Sequence, residues 1–194
     1  SIKDSIKRVE ISSAAELTEE RLAEIDIALD GKFPEGLSLY PFQKVAVAFA
    51  EMSNGRCLIG DEMGIGKTIS AIGYAVIHPE ARPAVVVCPS NVKFNWKKEL
   101  NKWLPNENVQ VIGSGKDTVE TTDFIIINYD LMAKQQDNLL SVAPQLLILD
   151  ESHYIKNSGS KNKPVQRTVA TLNVAHFVSK VIALSGTAIS SRPK

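Results

Sequence analysis

The chain predicts an α/β fold of three layers: a mostly parallel sheet flanked by helices, with a short N-terminal extension. Three observations carry that reading. Short apolar runs alternate with longer stretches of helical periodicity. Runs such as Ala84-Val85-Val86-Val87-Cys88 and Leu146-Leu147-Ile148-Leu149 lack polar alternation, as expected of strands buried on both faces. Two turn motifs, one rich in glycine and one acidic, follow directly on apolar runs, where parallel sheets build their sites. Composition agrees, since 44% hydrophobic and 23% charged residues over 194 positions suit one domain with a sizeable core.

Residues 1–36 read as an extension, partly helical, and residues 37–194 as the main domain. Within the extension, Thr18 followed by Glu19 and Glu20 marks a helix start with acids in its first turn. Leu22, Ile25, Ile27 and Leu29 follow with imperfect helical spacing, and Asp30-Gly31 and Phe33-Pro34-Glu35-Gly36 end the helix. Beyond Leu37, strands are predicted at 56–60, 84–88, 109–112, 124–128, 145–149 and 181–185. Helices are predicted at 41–53, 67–77, 91–103, 129–137 and 165–175. Val92, Trp96, Leu100, Trp103 and Leu104 recur at helical spacing, a stripe that reads as core packing rather than a base-stacking platform.

Charge and cysteine usage narrow the function classes. Lys+Arg and Asp+Glu both number 22, so no global charge marks the chain for nucleic acid and any such contact has to be local. Cys57 and Cys88 each sit in an apolar run and read as buried, reduced thiols. The apolar runs are too short to span a bilayer and no signal peptide opens the chain. No membrane partner is expected, and the expected location is intracellular, cytoplasmic or nuclear.

The chemistry lies in two motifs. Arg56-Cys57-Leu58-Ile59-Gly60 leads as a strand into Asp61-Glu62-Met63-Gly64-Ile65-Gly66-Lys67-Thr68, from which a helix continues. Gly64 and Gly66 let backbone N–H groups approach phosphate oxygens, and the helix N-terminus adds a favourable dipole. Lys67 is placed for the β- and γ-phosphates of a nucleoside triphosphate, and the Thr68 hydroxyl for Mg²⁺. The strict pattern has glycine where Asp61 stands, but the Gly-x-Gly-Lys-Thr core is intact. Downstream, Gln145 to Leu149 deliver Asp150 and Glu151 to a strand end. Asp150 is suited to hold Mg²⁺ and Glu151 to take a proton from attacking water. His153 reads as a polar link from this site to a neighbouring motif rather than a metal ligand, because no second His or Cys lies at ligand spacing. His78 and His176 have no motif context.

With these residues in view, 37–194 resembles the first RecA-like lobe of the Swi/Snf-type DNA-dependent ATPases of helicase superfamily two. Six segments match in order. Leu39 to Lys44 resembles the adenine-side motif, which implies that Gln43 recognises the base edge. Asp61 to Thr68 resembles motif I, and Val87-Cys88-Pro89-Ser90 with Asn91 to Leu100 resembles motif Ia, which tracks a DNA backbone. Asn128-Tyr129-Asp130 resembles motif Ib, Asp150 to Asn157 motif II, and Leu184-Ser185-Gly186-Thr187 motif III, which couples hydrolysis to movement. Ser90 to Trp96, Asp150 to His153 and Ser191-Arg192-Pro193 are similar to the HARP-like annealing helicases, which rewind single strands and remodel forks. Ala188 departs from the family, which has proline there.

The resemblance implies ATP and Mg²⁺ as cofactors and a duplex or branched DNA partner contacted through its backbone. Candidate contacts are Ser90, Lys93 and Asn128, and in the basic loop after motif II, Lys156, Asn157, Lys161 and Lys163. Lys97, Lys98 and Lys102 share the helix of Lys93. The family's second RecA-like lobe, which supplies arginine fingers worth roughly 10³–10⁵ in rate, has no counterpart in this sequence, so this polypeptide is expected to bind nucleotide and turn it over very slowly. Two alternatives stay open: a nucleotide-switched DNA-binding or adaptor module, and an RNA helicase lobe of the same superfamily.

Overall fold

The structure, a computed structural model, describes residues 18–60, 66–155 and 165–186. In chain order the elements are α1 (Glu19–Leu29), α2 (Pro41–Met52), β1 (Arg56–Gly60), α3 (Lys67–Ile77), β2 (Ala84–Cys88), α4 (Lys93–Trp103), β3 (Val109–Val111), β4 (Phe124–Asn128), α5 (Met132–Ser141), β5 (Leu146–Leu149), α6 (Gln166–Phe177) and β6 (Lys180–Ser185). Single turns of 3-10 helix, Ser90–Val92, Tyr129–Leu131 and Ser152–Ile155, follow β2, β4 and β5.

The six strands form one sheet in the order β1-β6-β5-β2-β4-β3, and every pairing is parallel. Alternate residues of each strand enter different cores. Cys57, Ile59, Val86, Ile126, Ile148 and Leu184 pack with α1, α2, α3 and α4 on one face. Val85, Val87, Ile125, Ile127, Leu147 and Val181 pack with α5 and α6 on the other. That two-sided burial explains the absence of polar alternation: all five residues of β2 and of β4 are buried.

The predicted elements all form, with small differences at their ends. The helix expected from residue 91 begins as a 3-10 turn and becomes α-helical at Lys93, and the one expected from 129 does the same before Met132. In both places a strand end must turn sharply before a helix can start. The extension helix has the expected start: Thr18 Oγ1 accepts the Arg21 backbone N–H at 3.3 Å, with Glu19 and Glu20 in the first turn. Its poor periodicity has a simple cause. Only Ile25 and Leu29, one turn apart, are buried, while Ile27 is 77% exposed. Those two side chains join the same core cluster as α2, α3 and α4, Lys44 pairs with Asp26 at 2.6 Å, and Phe33 meets Trp103 edge-on at 5.0 Å. This helix is therefore part of the main core.

Candidate nucleotide site at the carboxyl edge of the sheet

The sheet order decides which motifs meet. β6 lies between β1 and β5, with Gly60 level with Ser185 and Leu149 level with Ala183. The carboxyl ends of β1, β6 and β5 consequently lie side by side, where parallel sheets build their sites. Lys67 opens α3, Asp150 and Glu151 follow β5, and Gly186 follows β6. A methyl group added at Gly186 would lie 3.4 Å from Lys67 Nζ and 3.9 Å from Glu151 Oε1. The ammonium and the carboxylate therefore converge on one point, at a residue with no side chain.

Local backbone conformation aims these groups. Gly66, the N-cap of α3, is left-handed at φ 91°, a conformation glycine adopts without steric cost. A side chain there would also run into the Gln43 amide. Gln43 is buried, its Oε1 accepts the Tyr40 backbone N–H at 2.8 Å, and its amide faces the glycine that caps α3. Ser70 Oγ donates to the Gly66 carbonyl at 3.1 Å and closes the first turn. Lys67 is buried and Thr68 half-buried in that turn. Glu151 is left-handed at φ 51°, which costs a non-glycine residue about 1–2 kcal/mol. Glu151 Oε1 lies close to Gly186, which follows β6.

Asp150 is held from several sides. Its backbone N–H donates to the Val87 carbonyl at 2.8 Å, its Oδ1 accepts the Glu151 N–H at 2.9 Å, and its Oδ2 accepts the Trp96 indole N–H at 2.8 Å. The Tyr129 hydroxyl donates to its carbonyl at 2.7 Å. Burial pushes the Asp150 carboxyl above its ordinary pKa, while the Trp96 hydrogen bond and the nearby Lys67 charge act the other way. Asp150 offers a half-buried carboxylate and Thr68 a half-buried hydroxyl at the start of α3, both oxygen donors, and a hard cation such as Mg²⁺ suits such donors and the cost of burying that charge. His153 Nδ1 lies 3.2 Å from Glu151 Oε2, and its ring leans on Tyr154, which stacks on Tyr129 with centroids 5.6 Å apart. Ser185 is buried at the end of β6.

The strand-tracking candidates fall into two groups. Ser90 is exposed at the carboxyl end of β2, and Lys97, Lys98 and Lys102 are exposed along α4. Lys93 and Asn128 are buried, and they bond to each other: Lys93 Nζ donates to Asn128 Oδ1 and to the Ile112 carbonyl, both at 2.9 Å. Asp61, Glu62, Met63, Gly64, Ile65, Lys156, Asn157, Lys161, Lys163, Thr187 and Ala188 lie outside the described residues.

Two contacts to Asp150 are not foreseen in the sequence, the bonds from Trp96 and Tyr129. Trp96 was readable as core, and it is fully buried. A buried indole still needs an acceptor, and that requirement was the signal available in the sequence. Cys57 and Cys88 are free and buried, as expected.

The model of the SNF2-related domain matches residues 42–193. A relative from Xenopus tropicalis, the SWI/SNF-related matrix-associated actin-dependent regulator of chromatin subfamily A-like protein 1, is 37% identical over 178 residues, covering 90% of this chain and 18% of its own length. The human DNA annealing helicase and endonuclease ZRANB3 is 34% identical over 165 residues, covering 80% of this chain and 15% of its own. The chain thus spans less than a fifth of these relatives. Among solved structures, the Sulfolobus solfataricus SWI2/SNF2 ATPase core in complex with dsDNA superposes with a TM-score of 0.64 at 27% identity, over 80% of this chain and 33% of that one. The all-parallel sheet fits that fold, and the match over residues 42–193 together with these relatives leads to one conclusion: the chain belongs to the SNF2-related domain family.

Proposed function

We propose that residues 37–194 form the ATP-binding lobe of a DNA-dependent ATPase that acts on duplex or branched DNA, in strand annealing or fork remodelling. The observation that carries this reading is the convergence of Lys67 and Glu151 on Gly186, with Asp150 held beside them. Lys67 binds the β- and γ-phosphates, helped by the N–H groups of the Asp61 to Gly66 loop and the dipole of α3. Gln43, packed against Gly66, recognises the adenine edge. Thr68 and Asp150 would hold Mg²⁺, which when bound neutralises charge on the transferring phosphoryl group. Glu151 takes the proton of the attacking water, and His153 and Ser185 to Thr187 relay the outcome. Ser90 and the loop bearing Lys156, Asn157, Lys161 and Lys163 contact the DNA backbone without reading sequence. The dsDNA complex of the Sulfolobus neighbour and the annealing-helicase name of the ZRANB3 relative support DNA over RNA.

Hydrolysis by this chain, measured with and without fork DNA beside a nucleotide-binding titration, tests the reading. Nucleotide binding with little turnover is the expected result. Chains without a nucleotide site would bind nothing and would overturn it. Comparing stimulation by duplex DNA, branched DNA and RNA in a full-length relative separates the DNA motor from an RNA helicase, and a DNA complex formed without any catalytic need for Glu151 would favour the adaptor.

A further inference from the structure

We propose that Trp96 is a positioning residue for the magnesium site, its indole N–H fixing the carboxylate of Asp150. The inference rests on the nucleotide-site reading above and adds to it a residue from outside the phosphate and carboxylate motifs. Trp96 is fully buried on α4, so its N–H cannot turn to water, and the acceptor it has is Asp150 Oδ2 at 2.8 Å. The other carboxylate oxygen is held by the Glu151 N–H at 2.9 Å. Each oxygen keeps a further lone-pair direction, so the two donors fix the plane of the carboxylate without using up its capacity to hold a cation. The main chain is secured separately, by the Tyr129 hydroxyl on the Asp150 carbonyl at 2.7 Å.

The two grips come from different places in the sequence. Trp96 lies six residues after Ser90, and Tyr129 directly follows Asn128. The bonds from Lys93 to Asn128 and to the Ile112 carbonyl join the start of α4 to the end of β4 and to the residue that follows β3. The segments that resemble the strand-tracking motifs are thus the ones that orient the metal carboxylate. A rotation of that carboxylate would move an oxygen ligand by a bond length or more, which a magnesium site with strict octahedral demands does not tolerate.

The test replaces the donor and keeps the shape. Trp96→Phe removes the N–H, and site-specific incorporation of 3-benzothienylalanine at position 96 puts sulfur where the N–H was, with the ring outline unchanged. The isostere decides the matter if the Phe variant fails to fold. Binding of mant-ADP is titrated with MgCl₂ and with EDTA. The expected result is a Kd about tenfold weaker in MgCl₂ and unchanged in EDTA, the size of one charge-assisted hydrogen bond. In ¹⁵N-labelled wild-type chain, the indole resonance of Trp96 should move when Mg²⁺ and mant-ADP are added together, and that of Trp103 should not. A parallel weakening in MgCl₂ and EDTA would make Trp96 a packing residue and overturn the proposal, as would an unchanged Mg²⁺ response in the isostere. Wild-type chain that binds no mant-ADP would instead overturn the nucleotide site itself, so the two failures are distinct.

Discussion

At the β1-β6-β5 half of the sheet's carboxyl edge, Lys67 and Glu151 point toward a shared space over Gly186. At the β2-β4-β3 half, Lys93 and Asn128 point toward each other and close the bond inside the fold. Both lysines are buried, both sit at the start of a helix that follows a strand, and both lie in segments that resemble helicase motifs. The difference is in what each ammonium is seen to face. Lys67 Nζ and Glu151 Oε1 both lie close to Gly186, a residue without a side chain. Around Lys93 the acceptors are the protein's own Ile112 carbonyl and Asn128 amide oxygen. A basic residue in a nucleic-acid motif is thus not by that fact a phosphate contact, since a buried ammonium needs acceptors in the absence of any ligand.

Four substitutions and one chemical probe can break or sharpen this contrast. Lys67→Ala should give the largest effect, a nucleotide affinity or full-length turnover reduced by roughly 10²–10³, with circular dichroism unchanged because Ser70, Ala71 and Ile72 still bury α3. A folded variant that binds nucleotide normally would end the contrast. Glu151→Gln in a full-length relative should cut turnover by about 10²–10⁴ while nucleotide remains bound, read by single-turnover hydrolysis against equilibrium binding. Gly66→Ala should weaken nucleotide binding and lower the melting temperature together, because it adds a left-handed strain of about 1–2 kcal/mol and displaces Gln43.

Lys93→Met tests the other half. It should cost about 1.5–3 kcal/mol in urea unfolding, the range for hydrogen bonds to a charged group, while the salt dependence of DNA binding keeps its slope. A slope reduced by about one counterion would place the ammonium on a phosphate instead. The smallest effect concerns the core behind both halves. Burial pushes Cys57 and Cys88 up to about 12, so both thiols stay protonated near neutral pH. Iodoacetamide at pH 8 should label neither in the folded chain and both in denaturant, and rapid native labelling of Cys88 would show that the end of β2 opens.

Much of this was legible in the sequence, for reasons that differ by residue. β2, β4 and β5 were readable because burial on both faces removes polar alternation, a pattern that survives without knowing the neighbours. Asp150 and Glu151 were readable because they directly follow an apolar run, and Lys67 because it follows a glycine-bearing turn between an apolar run and a helix. What the sequence could not supply was strand order. That β6 lies between β1 and β5, bringing Gly186 to Lys67 and Glu151, depends on long-range pairing. The left-handed turn at Glu151 carries no glycine to announce it. Lys93 reads as a candidate backbone contact in the sequence, because the acceptors that bury it stand 19 and 35 residues away. Trp96 was placed in the core, and its buried donor was the hint that its ring was more than packing.

The most direct measurement is a titration of Mg·mant-ADP into the wild-type chain, Lys67→Ala and Glu151→Gln side by side. If the carboxyl edge is a nucleotide site with separate binding and catalytic groups, wild type and Glu151→Gln bind one nucleotide per chain with similar affinity and Lys67→Ala loses it. Equal binding by all three, or none by wild type, would contradict that assignment.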